Sequence, residues 1–420
     1  MKKLLAVLLA SALFVPAMAG SIFNSVETIG EIQTIGTLSS DMGNGKNRDV
    51  SNRVLFGLGM ELVEDVKANI TFVNKMYWGS SDYNSPYGEQ PSVNSYLDKV
   101  QVAEANVALS NVFNAFDLKV GRQFYGDESS AVMYFGPTHY RGRFYNDYDG
   151  EGLFADSNSL DAAVLTYNSE EYLVNVIYAK VWESGINNGD RDQSLLGFDA
   201  KYFVNESLSL QAYLYDLRTA FGAGPGNSIR YGLWGLKAGY ADDGMGLGLE
   251  FAKNYFDYDD QPFFYNNMGW MVKADASMKL AMDNMDVTPR ITYLHAEKDM
   301  ATLGNYSPGI VFGGGRRNVL DPFGSMNFSG GSYGNARILN IGADVKYDKF
   351  TFALDYLNIK YGPSDNAEWF GNEIDLMVKY AMNEYVELHT GVGYVTNLGQ
   401  YWIGPESTGY AAQMGMIVKF

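Results

Sequence analysis

Apolar and polar side chains alternate one by one along much of this 420-residue chain. In residues 50–63, VSNRVLFGLGMELV, one face carries Val50, Val54, Phe56, Leu58, Met60 and Leu62. The other face carries Ser51, Arg53, Gly57, Gly59 and Glu61. A period of two is typical of a β-strand with one apolar and one polar face. Because the pattern recurs down the chain, the sequence predicts an all-β protein.

The spacing of the alternating segments narrows the fold class. The predicted strands are 25–38, 50–63, 65–78, 97–110, 116–123, 159–167, 172–183, 195–204, 207–217, 228–240, 244–256, 267–280, 285–297, 335–347, 349–361, 370–382, 384–396 and 409–420. Short connections, such as 64–65, 168–171, 241–244, 281–284 and 383–384, alternate with long ones, such as 39–49, 79–96, 124–158, 184–194, 298–334 and 397–408. A soluble sandwich also alternates, but this loop rhythm favours a transmembrane antiparallel β-barrel of about 18 strands, with short periplasmic turns and long extracellular loops.

The two ends of the chain fit export to an outer membrane. Residues 1–19, MKKLLAVLLASALFVPAMA, combine two lysines, a short apolar run and a small-x-small triplet, which is typical of a cleaved signal peptide. The rest, 20–420, reads as one barrel domain without a linker. The chain stops in mid-strand on Phe420. We expect Phe420 to face lipid at the periplasmic rim, to anchor there, and to act in barrel assembly.

The amino-acid composition argues against several classes of function. Asp and Glu number 49 against 31 Lys and Arg, so the net charge is −18 and nucleic acid is not an expected partner. The chain has no cysteine, which excludes disulfides and thiolate metal sites. Beyond the signal, no apolar run is long enough for a membrane-spanning helix. The sequence predicts neither a cofactor nor a metal site.

One stretch carries a family resemblance. FDLKVGRQFYGDESS, 116–130, is followed by HYRGRFYND and by an Asp-led strand. This layout resembles the alginate-export family of outer-membrane porins over about 100–183, through Gly121, Arg122, Gln123, Tyr125, Gly126, Asp127, Glu128, Arg143 and Asp161. The resemblance implies an outer-membrane channel and favours a monomer.

The connection 124–158 is long enough to fold inward and narrow a pore. In the predicted constriction, three arginines lie near two carboxylates: Arg122, Arg141 and Arg143 with Asp127 and Glu128. The planar guanidinium of Arg122 suits a carboxylate, which could come from a ligand or from Asp127 or Glu128. In the alternative, Arg122 only ties the long loop to the wall. Gly121 would let the backbone approach a neighbour closely or kink at the rim.

The polar faces of the predicted strands should point inward and form the wall of the lumen. Its main basic members are Arg53, Lys67, Lys75, Lys201, Lys237, Lys273, Arg290 and Lys379. Acidic residues on the same faces nearly match the basic ones in number, and several stand two positions apart on one strand, such as Asp275 and Lys273. We expect most of these charges to brace the wall as ion pairs. A path for a polyanion such as alginate would need a basic excess, which the wall lacks.

Two other motifs suggest alternatives. His139 lies in the long loop beside Asp147 and Asp149, but no nucleophile pattern accompanies it, and we predict no enzyme activity. GIVFGGGRRN, 309–318, could form an anion-binding nest with Arg316 and Arg317, but no strand–helix context supports a phosphate loop, and the pattern favours a flexible outer loop.

The sequence thus predicts an outer-membrane channel for small hydrophilic solutes, anionic or saccharide ones included. Its expected partners are the lipid bilayer, lipopolysaccharide, the barrel-assembly machinery and the solutes themselves. The alternative function is a largely plugged barrel with a structural or surface-binding role.

Overall fold

The computed structural model describes residues 24–41, 45–77, 100–127, 130–135, 159–182, 193–220, 228–258, 269–297, 300, 336–364, 367–398 and 407–420. Among these residues, no helix has the length and apolarity needed to cross a membrane.

The described chain is built from β-strands. They are β1 Ser25–Asp41, β2 Gly45–Val63, β3 Val66–Tyr77, β4 Gln101–Val112, β5 Phe116–Gln123, β6 Tyr125–Gly126, β7 Tyr134–Phe135, β8 Leu160–Asn168, β9 Tyr172–Trp182, β10 Gln193–Phe203, β11 Leu208–Ala220, β12 Ser228–Ala241, β13 Met245–Tyr258, β14 Trp270–Met278, β15 Leu280–Met282, β16 Met285–Ala296, β17 Arg337–Tyr347, β18 Phe350–Ser364, β19 Ala367–Ala381, β20 Val386–Leu398 and β21 Ser407–Lys419.

All of these except β6 and β7 form one antiparallel sheet that closes on itself. Each strand pairs with its neighbours in the chain, and β21 returns to pair with β1, from Glu31 opposite Lys419 to Ser39 opposite Ala411. Because β14 and β15 both pair with β16 and are separated only at Lys279, they form one wall strand. The described wall therefore has eighteen strands, which confirms the predicted fold class. Closure satisfies the backbone polar groups without leaving a sheet edge.

The connections define two different rims. On the short-turn rim, strands are joined by tight turns such as Glu64–Asp65 and Asp348–Lys349, where each Asp adopts a positive φ that Asp tolerates well. Both ends of the described chain, Asn24 and Phe420, lie at this rim. We call the opposite end of the barrel the long-loop rim.

Two outer connections are shorter than predicted. Residues 39–49 were expected to be a long loop, but β1 and β2 continue until Asp41 pairs with Gly45. Likewise β18 and β19 continue until Ser364 pairs with Ala367. Outside the membrane both faces of a strand are hydrated, so the apolar alternation ends before the strand does.

The wall has its apolar face outside. Large side chains on outward positions, including Leu196, Leu214, Leu236, Leu354 and Ile374, are about half exposed. Charged side chains on inward positions, such as Asp199, Glu250 and Lys273, are buried. This arrangement is the reverse of a soluble protein and fits a barrel whose exterior contacts lipid.

The inner face is not polar along its whole height. Near the long-loop rim, inward positions of β8–β20 carry a cluster of fully covered apolar side chains, including Leu195, Leu233, Met271, Leu294, Leu357 and Val395. The rule that inward means polar therefore fails at this level. At this level the inward side chains are apolar and covered, whereas towards the short-turn rim the inward side chains are charged.

Candidate functional site

A short hairpin lies inside the barrel, directly after β5. Its strands β6 and β7 pair through Tyr125–Phe135 and Gly126–Tyr134, apart from the wall sheet. Gly126 has a φ of +102°, and a Cβ there would lie 2.6 Å from the carbonyl oxygen of Met133. Only glycine accepts both the conformation and the close approach. We call residues 124–135 the inner loop, of which 128–129 lie outside the described residues.

Glu250 of β13 is the first anchor of the inner loop. Its Oε1 accepts hydrogen bonds from the hydroxyls of Ser130, at 2.8 Å, and Tyr213, at 3.0 Å. Its Oε2 accepts the backbone N–H of Ala131 at 3.1 Å. The carboxyl is almost fully buried, with the residue 2% exposed. Hydrogen bonds to a buried carboxylate are strong, so Glu250 fixes the turn of the loop across the lumen.

Ser130 also organises the turn itself. Its Oγ accepts the backbone N–H groups of Val132, at 3.2 Å, and Met133, at 3.3 Å. A serine hydroxyl used in this way closes a tight turn that the backbone alone would leave unsatisfied.

Lys237 of β12 is the second anchor. Its Nζ lies 2.5 Å from Oδ2 of Asp127, just after β6. This ion pair and the Glu250 contacts attach the two arms of the inner loop to neighbouring wall strands. We call the two sets of contacts together the clasp.

A cavity of about 480 Å³ lies between the inner loop and the wall. That volume falls within the range of small-molecule sites, about 300–1,000 Å³. Its lining comes from the inner loop and from β5 and β8–β13, and it includes four tyrosines, Tyr125, Tyr134, Tyr213 and Tyr215. The cavity also contains three lysines, Lys119, Lys201 and Lys237, and three carboxylates, Asp127, Asp199 and Glu250.

Most of the charged groups in the cavity are engaged within the protein. Asp199 accepts from Gln211 at 2.6 Å and from the Tyr215 hydroxyl at 3.4 Å. Lys119 lies 3.7 Å from Glu104, at the edge of ion-pair range. Lys201 lies over the ring of Phe203, 5.1 Å from its centroid. The site is thus a balanced polar surface with aromatic faces.

The other side of the inner loop is apolar. Ala131, Val132, Met133 and Phe135 are all at most 3% exposed and belong to the covered cluster near the long-loop rim. The inner loop therefore separates an apolar upper lumen from a charged lower cavity. Burial of these side chains stabilises the folded-in position together with the clasp.

Arg122 is not in this site, which corrects the prediction. Its Nε and Nη2 contact the two carboxylate oxygens of Asp161 on β8, at 2.9 and 2.8 Å. Lys119 and Gln123 line the cavity, and the alternation of β5 turns Arg122 to the outer face. Among the described residues, its carboxylate partner is Asp161 and not Asp127.

Gly121 behaves as predicted. It has a φ of +120°, and a Cβ there would lie 2.2 Å from the carbonyl oxygen of Ala105. The other loop members of the predicted constriction, Arg141, Arg143 and Glu128, lie outside the described residues, as do His139 and residues 309–318.

The predicted lumen wall is largely braced by ion pairs. Lys273 pairs with Asp275 at 2.7 Å, and Arg290 pairs with Asp344 at 3.3 Å and Asp355 at 2.8 Å. Lys379 pairs with Glu387, not with the expected Asp375 or Glu373. Lys201 and Lys237 line the cavity, whereas Lys67 is exposed near the short-turn rim. Arg53 and Lys75 stand opposite each other in register, and their side chains lie outside the described residues.

Phe420 lies on the outer face of the short-turn rim. It exchanges two 2.9 Å backbone hydrogen bonds with Gly30. Its ring covers Gly30, where a Cβ would lie 2.1 Å from Cε2 of the ring. This fits the expected place of Phe420, half exposed on the lipid-facing side.

No group of acidic and histidine side chains in the described chain is arranged to hold a metal ion.

The fold and the inner loop together define the class: an eighteen-stranded outer-membrane β-barrel with a loop clasped inside its lumen.

No known protein-family model and no curated protein sequence matches the chain. Solved outer-membrane barrels do match it in structure. OpdK from Pseudomonas aeruginosa has a TM-score of 0.59 and 10% identity, covering 95% of this chain and 100% of that one. OccAB2 from Acinetobacter baumannii has a TM-score of 0.58 and 13% identity, covering 96% and 100%. OccK8 (OprE) from Pseudomonas aeruginosa has a TM-score of 0.58 and 9% identity, covering 95% and 99%. At such identities these matches establish the fold alone.

Proposed function

We propose that the protein is an outer-membrane channel that passes small hydrophilic solutes through a lumen narrowed by the inner loop. The observation that carries this proposal is the clasp, which holds residues 124–135 across the lumen beside a charged cavity. The buried carboxylate of Glu250 fixes the position of the inner loop in the lumen. A channel needs a constriction of fixed geometry, and the clasp provides one.

The solutes that suit this cavity are small and polar. Tyrosine rings offer flat faces to sugar rings, while lysines and carboxylates in equal number offer both donors and acceptors. The alginate-export-like layout of 116–130 extends the proposal to anionic and saccharide solutes. We keep Arg141, Arg143 and Glu128 as proposed members of the constriction, with Asp127 as the member whose contact is described.

Liposome swelling tests the proposal directly. The purified barrel, reconstituted in vesicles, is diluted into isotonic sugars of increasing size. We expect swelling with small sugars and a cut-off at larger ones, because the inner loop limits the passage. The control is the same protein unfolded by heat. No swelling with any sugar, in a preparation shown to be folded, would contradict a channel.

The second candidate is a largely plugged barrel, and one observation favours it. The apolar side chains near the long-loop rim, such as Leu195, Leu233 and Leu294, are fully covered, so these described inward positions of β8–β20 do not line a water-filled passage. The swelling experiment separates the two functions, because a plugged barrel admits no solute.

The proposal includes a route to the membrane. Residues 1–19 would direct export and be removed, leaving 20–420 as one barrel domain. Phe420 on β21 would then serve recognition by the barrel-assembly machinery. The long-loop rim would face outward, beside lipopolysaccharide, and the short-turn rim would face the periplasm.

A further inference from the structure

Three polar side chains stand side by side on the inward face of β9 and β10, within the lining of the cavity. Asn175 of β9 stands directly opposite Asp199 of β10 in the strand register. Lys201 follows Asp199 by two positions and therefore shares its face. All three line the cavity. Because opposite residues on adjacent strands are about 4.5–5.5 Å apart at Cβ, these side chains can contact one small ligand together. We call Asn175, Asp199 and Lys201 the polar cluster.

Asp199 offers the polar cluster an open acceptor. Its Oδ2 accepts hydrogen bonds from the Gln211 side chain, at 2.6 Å, and from the Tyr215 hydroxyl, at 3.4 Å. Its Oδ1 accepts none from the residues that the structure describes, and this oxygen is not closed off from the cavity. A carboxylate oxygen has two lone-pair sites, so Oδ1 can accept from donors on a ligand.

Asn175 and Lys201 offer open donors. The Thr166 hydroxyl donates to Oδ1 of Asn175 at 2.8 Å, and the amide N–H groups of Asn175 have no acceptor in the described part of the wall. The Lys201 ammonium lies over the ring of Phe203, 5.1 Å from its centroid. It attracts the Asp199 carboxylate, but from beyond the separation of an ion pair, about 4 Å. A ligand group between the two could therefore accept from Lys201 and donate to Asp199.

The charges around the polar cluster do not favour an anion there. Lys237 is engaged with Asp127, and the carboxylate of Asp127 also acts unfavourably on the charge of Asp199. Within the polar cluster itself, one carboxylate offsets one ammonium. A ligand carboxylate would gain the donors of Lys201 and Asn175, but Asp199 would repel it.

A hydroxyl group suits the polar cluster better than either kind of ion, because it accepts one hydrogen bond and donates another. Two adjacent hydroxyls of a sugar ring would accept from Lys201 and Asn175 and donate to Oδ1 of Asp199. We propose that the polar cluster binds a vicinal diol of an uncharged monosaccharide, so that the cavity selects neutral sugars over sugar acids of the same size. This substrate class rests on the proposed function only in that the solute enters through the lumen.

The first test compares methyl β-D-glucoside with methyl β-D-glucuronide, which carries a carboxylate in place of one hydroxymethyl group. Binding to the folded barrel in detergent is titrated by saturation-transfer NMR, which does not require solute passage. We expect the glucoside to bind about ten-fold more tightly, because the glucuronide brings like charges together. The fully O-methylated glucoside donates no hydrogen bond and should not bind. Binding of either analogue as tight as that of the glucoside would overturn the proposal.

Asp199→Asn tests the acceptor with a readout of sign. The variant keeps the shape of the side chain but removes its charge. Glucoside binding should weaken about ten-fold, because hydrogen bonds to charged groups are the stronger ones. Glucuronide binding should strengthen, because the repulsion is removed. A general loss of structure would weaken both ligands, so changes in the same direction would refute the role of Asp199.

Lys201→Met tests the donor against a matched control. It removes the ammonium and keeps an unbranched side chain, and we expect glucoside binding to weaken about ten-fold. Lys67→Met removes an exposed lysine that does not line the cavity and should change binding little. All variants must first show the heat-modifiable gel mobility of a folded barrel. Equal effects of the two lysine variants, or none, would contradict the proposal.

Glycine identifies the remaining alternative, because its ammonium and carboxylate would also suit Asp199 and Lys201. We expect glycine not to displace the glucoside, and full displacement would mean that the site takes amino acids instead. Liposome swelling is measured separately. Sugar binding without swelling would support the polar cluster and remove the channel, whereas swelling without sugar binding would remove the polar cluster alone.

Discussion

At the scale of single residues, the direction in which a strand alternates decides function more than residue type does. Arg122 and Lys119 are both basic and three positions apart on β5, yet Lys119 lines the cavity and Arg122 lies on the outer face with Asp161. The sequence contains this signal, because strand alternation puts two residues three positions apart on opposite faces of the wall. The prediction instead placed Arg122 in the constriction because it directly precedes the long loop.

Arg122→Gln should therefore leave ion selectivity unchanged and weaken the wall. The pair with Asp161 is partly exposed, with side chains 40% and 55% exposed, so its loss should cost about 0.5–1 kcal/mol. Urea unfolding in lipid vesicles measures the stability, and reversal potential measures the selectivity. Asp161→Asn should give a similar loss. A shift of reversal potential in Arg122→Gln alone would show that this arginine does face the solute.

Phe420 offers a second test at this scale. Phe420→Ala uncovers Gly30 and removes an interfacial aromatic ring, so we expect less folded barrel in the membrane. Heat-modifiable gel mobility of membrane fractions reports the folded yield. Phe420→Tyr keeps a ring over Gly30 and should restore the yield. If Phe420→Ala folds as well as the unchanged chain, the ring is incidental.

At the scale of elements, the inner loop depends on one glycine. Gly126→Ala would force a Cβ into the Met133 carbonyl at a positive φ, which costs about 1–3 kcal/mol. We expect the β6–β7 hairpin to open, and amide hydrogens of residues 124–135 to exchange faster by mass spectrometry. Gly244→Ala, where a Cβ meets only Asp242 at 3.7 Å, is the matched control. Unchanged protection in Gly126→Ala would mean that the clasp alone shapes the loop.

The short turns give a prediction on pH. Tyr240 donates to Asp242 at 2.6 Å, and the backbone N–H groups of Gly244 and Met245 donate to the same carboxylate at 2.8 and 2.6 Å. The Tyr240 hydrogen bond first, and the two backbone bonds after it, lower the pKa of Asp242 below its ordinary value. A lowered pKa means that the stabilisation is present above the unfolded pKa, about 3.9, and is lost as pH falls through the folded value.

Asp242→Ala should thus unfold at less urea than the unchanged chain at pH 7, and the difference should shrink as pH falls below about 4. Urea midpoints across that pH range, measured in vesicles, give the comparison. Asp243→Ala, one residue further along the same turn, should show no such dependence. A gap for Asp242→Ala that stays constant with pH would contradict the charge-based account.

How far the elements could be predicted depends on how local their signals are. All eighteen wall strands follow from alternation and turn residues, which each segment carries by itself. Only the outer extension of β1 and β2 was missed, because residues 39–41 and 45–49 are polar on both faces. The Ser130–Glu250 contact joins residues 120 positions apart, and nothing near either residue signals the other. The covered apolar cluster was missed because it breaks the rule that an inward face is polar.

At the scale of the whole molecule, the barrel combines a rigid wall with one folded-in element. Closure between β1 and β21 and ion pairs such as Lys273–Asp275 brace the wall without disulfides. The inner loop is attached by far fewer bonds, so it should yield before the wall does. The clasp is therefore the place where small changes should alter passage without unfolding the protein.

Single-channel conductance in planar bilayers tests this central claim most directly. The unchanged barrel should give discrete small steps, and Glu250→Ala should give larger or noisier ones, because Ser130 and Ala131 lose their anchor. Asp344→Ala removes a lumen carboxylate that pairs with Arg290 on the wall, and it should change the step size less. All three proteins must first show folded gel mobility. Equal steps in all three would mean that the inner loop does not set the constriction, and the absence of steps in the folded unchanged barrel would contradict a channel altogether.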